Sequence, residues 1–272
     1  MKEFVVQKIS DEGSSEPFFA RMMIQNLELR DFVIHGETQR KEFDKLYEPL
    51  LNNLMECRQA MQECIRLITE HSEKINAGTV ISRQDKAWTI SESIDKNLNR
   101  SFKDFFIKGR IALDCLDKLS KHMGFDIGFF FKKDSNFNEQ AKDIKANNKD
   151  QKETNFIEML ESDRVAWFAL FRNIRVRIEH NGFNLPTTKY DIDATGKGMV
   201  LLPTIAGKSI IDLLNLLWNN LFEFCEDVFV SLIDLKLTPP AIMVQIPEFE
   251  RKPEMPIRYR VSLDPSFIRP KS

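Results

Sequence analysis

Apolar residues recur every three to four positions over most of the chain. Phe43, Leu46, Leu50, Leu54, Met61, Ile65 and Ile68 mostly keep this spacing, with one step of seven after Leu54, and predict one face of a long helix starting near Glu37. Pro49 either kinks that helix or sits in its first turn, and Gly78 lies just past its end. A second helix is predicted from about Ser82 to Met123. Trp88, Ile94, Leu98, Phe102, Phe105, Leu116 and Leu119 form its apolar side, Gly109 marks a candidate break, and Gly124 a stop. A third runs from about Thr154, a capping residue, to His180, where Asn181-Gly182 ends it. A fourth occupies 208–236.

The periods change outside these segments. In 1–36, Phe4–Ile9 and Leu27–His35 read as short strands or a loosely packed arm, joined by a Ser/Gly/Pro loop. Residues 124–140 form a Gly-punctuated aromatic loop. The Lys- and acid-rich stretch 141–153 reads as a solvated, mobile connection. Residues 185–207 predict a β-hairpin with its turn at Ala194–Gly198. The proline-rich tail 237–272 cannot continue a helix and is expected to drape over the surface. The expected fold class is all-α: an antiparallel bundle of about four long helices with a β-hairpin insertion and irregular or short-strand N- and C-terminal flanks. The expected organisation is an arm over 1–36, the bundle over 37–236 and the tail over 237–272.

Composition narrows the function classes. The 272 residues are 42% hydrophobic and 29% charged, with net charge −2 and pI near 6.2. That supports a sizeable core and removes any bulk electrostatic case for nucleic-acid binding, so a basic site must be local. The most apolar stretch, 209–235, contains Asp212, Glu223, Glu226 and Asp227, too many charges for a bilayer span. No membrane partner is expected. The N-terminus lacks the pattern of a secretory signal. Cys57, Cys64, Cys115 and Cys225 have no disulfide-framework spacing, which fits reduced thiols and a cytoplasmic location.

Candidate chemistry concentrates at 171–183. At 100° per residue, Trp167, Leu170, Phe171, Ile174 and Ile178 share one helix face. Arg175, Glu179, Arg172, His180, Asn173 and Arg177 occupy the opposite arc, with Val176 among them. One explanation is an ordinary charged helix face, with Arg175 and Glu179 as an i, i+4 ion pair. The other is a site: arginines outnumber acids, and a histidine able to transfer protons lies beside them.

An arginine followed after four to six residues by a histidine, near the end of a late bundle helix, resembles the signature of HEPN domains. Here it reads Arg175, four residues, His180. Arg172-Asn173 supplies the polar residue that the family often places after its arginine, so both arginines stand as candidates. The resemblance implies a metal-independent endoribonuclease whose site is composed across a homodimer, with a toxin or anti-phage defence role. It implies that His180 transfers protons, that Arg175 or Arg172 holds the scissile phosphate, and that Asn173 orients either group. Arg177, Glu179 and Asn181 are the accompanying RNA- or phosphate-binding candidates. An antitoxin or other regulatory protein is an expected partner. No metal and no cofactor are implied. The alternative is a non-catalytic helical module binding nucleotide, RNA or protein.

Other motifs carry less. Cys57, Cys64 and His71 line one helix face at spacings of seven, but seven residues rise about 10.5 Å, too far to share an ion. Arg110 and Asp114 are an i, i+4 pair that either lies on the surface or faces the motif helix. The glycines around Lys197 lack phosphate-loop spacing. Phe129, Phe130 and Phe131 beside Lys132 are read as core in preference to a base-stacking platform.

Overall fold

On α2, Glu37–Asn76, the predicted stripe folds as a helix, and its buried face is more regular than the aliphatic residues suggested. Leu50, Leu54, Cys57, Met61, Cys64, Ile68, His71 and Ile75 are all buried, at alternating spacings of four and three. The gaps in the aliphatic pattern are filled by two thiols and an imidazole. Pro49 lies inside the helix. Gly78, at φ +71°, ends it with the amide of Thr79 on the Lys74 carbonyl. The computed structural model describes residues 13–84, 87–147, 150–180 and 182–267. The chain is mostly helical, with small antiparallel strand pairs.

Contacts divide it into two units, and several long helices contribute residues to both. One unit comprises Met1–Lys45, Leu119–Met159 and Phe224–Ser272; the other comprises Leu46–Lys118 and Leu160–Glu223.

In the first unit, Pro17 opens a helix where strands or a loose arm were expected. A π-helical run, Phe19–Gln25, continues as α1, Asn26–Arg30. Phe18, Met22, Gln25 and Leu29 recur at helical spacing and are buried, which overrides the short apolar run near Val33. The Glu16 carboxylate accepts the amide of Phe18 at 2.8 Å and caps the start. Phe4–Ile9 lies outside the described residues. A 3₁₀ turn, Gly128–Phe131, buries Phe129 and Phe130, while Phe131 is half-buried. The end of the expected aromatic loop and much of the expected mobile connection are helix: α4, Asp134–Asn147, buries Phe137 and Ala141 four residues apart, and Phe137 stacks on Phe129. The tail is more than drape. β7, Ala241–Gln245, pairs antiparallel with β8, Tyr259–Leu263, and the prolines flank these strands without interrupting them.

This unit encloses a charged network. Glu226 of α7, Ile210–Asp234, is fully buried and accepts hydrogen bonds from Arg21, Arg258 and Gln25. The Gln25 amide oxygen in turn accepts the backbone N–H groups of Arg258 and Tyr259. Glu226 thereby ties α7 to both ends of the described chain.

The second unit departs from expectation before its second helix. Residues from Ser82 onward were expected to be helical, but β1, Ile81–Gln84, pairs with β2, Ala87–Ile90. The β-branched Thr79-Val80-Ile81 and Thr89-Ile90 favour strands, and Trp88 takes the Arg83 guanidinium on its face at 5.5 Å. Helix α3, Asp95–His122, begins after Ser93, whose hydroxyl accepts the Asp95 amide. Gly109 does not break it. A Cβ there would lie 2.9 Å from the Phe171 ring, so glycine permits close helix approach. The predicted hairpin forms from β3, Lys189–Ile192, and β4, Gly198–Leu201, followed by the two-residue strands β5, Thr204–Ile205, and β6, Lys208–Ser209.

Candidate functional site

The motif helix is assembled from three parts where one uninterrupted helix was expected. α5, Gln151–Asp163, passes into a π-helical turn, Arg164–Phe168, and then α6, Ala169–His180. Thr154 does not cap it: Asp150 accepts the Lys152 amide at 2.9 Å, and the Thr154 hydroxyl donates to the Asp150 carbonyl. The π-turn adds a residue to the winding, and such turns frequently accompany functional sites. It is secured by Trp167 Nε1–H on Asp163 Oδ1 at 3.0 Å and by Arg164 beside the Phe168 ring.

Burial then sorts α6. Trp167, Phe168, Phe171 and Ile174 are buried, and Phe171 packs against Phe105 and Phe106 of α3. The opposite arc is open to solvent. Asn173, Arg177, Glu179 and His180 are exposed, and Arg172, Arg175 and Val176 are half-buried. Leu170 and Ile178, expected on the core face, are only half-buried.

The arc divides into three parts. At its α3 edge, Glu179 holds Arg175 bidentately, Nε to Oε1 at 2.7 Å and Nη2 to Oε2 at 2.7 Å. The same edge meets α3, where Arg110 pairs with Asp114 at 2.6 Å. Burial raises the Asp114 pKa, while the charges of Arg110 and Arg175 pull it down, so Arg175 is within electrostatic reach of a second acid. In the centre, His180 is 68% exposed, with Nε2 3.8 Å from Glu179 Oε2. That separation is longer than a hydrogen bond. At the far edge, the Arg177 guanidinium lies 4.7 Å over the Phe183 ring, and Phe183 is anchored on Phe102. Arg177 is thus drawn towards the turn after α6. Gly182 makes that turn at φ +61°. Asn181 lies outside the described residues.

The structure thus joins Arg175, Glu179 and His180 into one contact group and leaves Arg172 and Asn173 on the same surface. The group can bind an anion through Arg175 once Glu179 is displaced, and it can exchange protons through an accessible imidazole. Asp114 is the added member. Its i, i+4 pair with Arg110 was the only sequence signal, and the sequence left open whether it faced α6.

Cys57 and Cys64 donate weakly to the carbonyls of Phe105 and Leu98, and burial pushes the Cys64 thiol up to about 12, leaving it unreactive. No grouping of ligands suited to a metal occurs among the described residues. No helix among them is long and apolar enough to cross a membrane. No family model, no curated protein and no solved structure matches this chain.

Proposed function

We propose that the exposed arc of α6 is half of a HEPN-type ribonuclease site, completed by a second copy of the chain in a homodimer of antiparallel four-helix bundles. In this reading His180 takes the proton from a ribose 2′-OH or returns one to the leaving 5′-oxygen. The 2′-oxygen bonds to phosphorus as the bond to the 5′-oxygen breaks, giving a 2′,3′-cyclic phosphate. Arg175 releases Glu179 and stabilises charge on the phosphate in the transition state. Arg172 and Asn173 extend the contact, and Arg177 flanks it, with Asn181 a phosphate-binding candidate by sequence alone. The observation that carries the reading is the exposed imidazole sharing Glu179 with Arg175. A toxin or defence role restrained by a regulatory protein, in a cytoplasmic setting, belongs to the same proposal.

The bidentate Glu179 contact favours a second reading, in which the arc binds RNA or nucleotide without cleaving it. One experiment separates them. Labelled RNA is incubated with the protein in EDTA, beside His180→Ala and Arg175→Ala. Cleavage lost in both variants supports the nuclease. Salt-sensitive binding without cleavage, weakened by Arg175→Ala, supports the binding module. Neither cleavage nor binding removes both.

A further inference from the structure

A cavity of about 350 Å³ opens among α5, α7 and the β7–β8 hairpin, within the unit that holds Glu226. Phe156, Met159, Val230 and Met243 supply apolar wall, and Lys152, Asp227, Asp234 and Tyr259 supply polar groups. Most of those polar groups are engaged with one another. Lys152 Nζ pairs with Asp234 at 3.1 Å and donates to the carbonyls of Asp234 and Leu237. The Tyr259 hydroxyl donates to Asp227 Oδ1 at 2.9 Å, and Arg258 Nη1 lies 3.3 Å from the same oxygen while also serving Glu226.

Asp227 is engaged through one oxygen alone. Its contacts among the described residues fall on Oδ1, and Oδ2 has none. The side chain is only 23% exposed. Burial raises its pKa, Arg258 lowers it, Glu226 raises it, and the Tyr259 hydrogen bond and Arg21 lower it. A carboxylate oxygen left open in a cavity of mixed polar and apolar lining is complementary to a cation that brings its own apolar body. The volume is at the small end of ligand pockets, and the Phe156 ring with two thioethers suits a flat group.

We propose that this cavity binds a small ring-bearing amine, its ammonium group on Asp227 Oδ2 and its ring against Phe156, Met159 and Met243. The site shares no residue with the α6 arc and does not depend on the nuclease reading. The test titrates phenethylamine into the full chain carrying ¹³C-methyl methionine. The Met159 and Met243 methyl signals shift and saturate. 2-Phenylethanol, which has the same ring without the charge, binds about tenfold more weakly or less. Asp227→Asn loses a similar factor, and affinity falls as pH drops through the carboxylate range. Two results overturn the proposal: neither methyl moves at about 10 mM amine, or the alcohol binds as well as the amine. The amine–alcohol comparison uses the unaltered protein, so it decides even if Asp227→Asn fails to fold.

Discussion

Glu179→Gln tests whether the α6 arc is a phosphate site held in reserve or a finished surface ion pair. Glu179 grips Arg175 through both oxygens, and the two side chains are 29% and 25% exposed. A helical i, i+4 pair with this exposure contributes about 0.3–0.5 kcal/mol. A bound phosphate must break that pair and then tolerate the displaced carboxylate nearby. Relieving both terms favours RNA by about 1 kcal/mol, about fivefold in affinity. The assay is fluorescence anisotropy with a 2′-O-methylated RNA, which lacks the nucleophile and stays intact. The salt dependence of binding also steepens, by about 0.7 in the logarithmic slope for each phosphate newly met by the guanidinium. Cleavage of ordinary RNA moves the other way if Glu179 positions His180, so tighter binding accompanies slower turnover. Unchanged or weaker RNA binding, with helix content preserved, refutes the reasoning and returns Glu179–Arg175 to a purely local role.

Other consequences follow from burial. Glu226→Gln removes the carboxylate shared by Arg21 and Arg258 at a fully buried position. It costs about 3–5 kcal/mol, roughly 10 °C in melting temperature for a chain of this size; a shift under about 2 °C contradicts it. His71 is buried, with Nε2 2.9 Å from the Tyr190 hydroxyl and no partner for Nδ1 among the described residues. Burial lowers its pKa below the ordinary 6.5, assisted by Lys74 and opposed by Glu92 and Asp95. Its stability contribution is therefore complete above 6.5 and is lost as pH falls below it. Denaturation at pH 7.5 and 5.5 shows the difference, which shrinks in His71→Leu. Gly109→Ala sets a Cβ 2.9 Å from Phe171 and 3.1 Å from Leu221. Overpacking of about 1–3 kcal/mol outweighs the roughly 1 kcal/mol gained in helix propensity; a more stable variant in urea contradicts this.

Much of the helical framework was legible because long apolar stripes dominate it. α2, α3 and α7 follow from period alone, and Gly78 and Gly124 stop helices where their αL freedom is needed. Misreadings occurred where a short apolar run had to be given one period or the other. Ser82–Ile90 continues a helical spacing by accident, yet its β-branched residues pair as strands. Pro17–Arg30 and Asp134–Asn147 carry enough polar residues to look loose, but two to four apolar side chains at the right spacing are sufficient to dock a helix. The α6 arc was legible as rotation on a wheel. Glu179's double grip on Arg175, the stacking of Arg177 on Phe183 and the approach of Asp114 were not, since each depends on rotamers or on a residue distant in sequence. The Glu226 network was hidden for a similar reason. Along the chain, Glu226 and Asp227 look like charges that merely exclude a membrane span, and their partners lie about 200 residues upstream and about 30 downstream.

The most direct measurement is the chemistry of the RNA ends. In EDTA the protein is expected to produce fragments ending in 2′,3′-cyclic phosphate, and His180→Ala to produce none while retaining its fold and its affinity for 2′-O-methylated RNA. Fragments ending in 3′-hydroxyl, or cleavage undiminished by His180→Ala, contradict it.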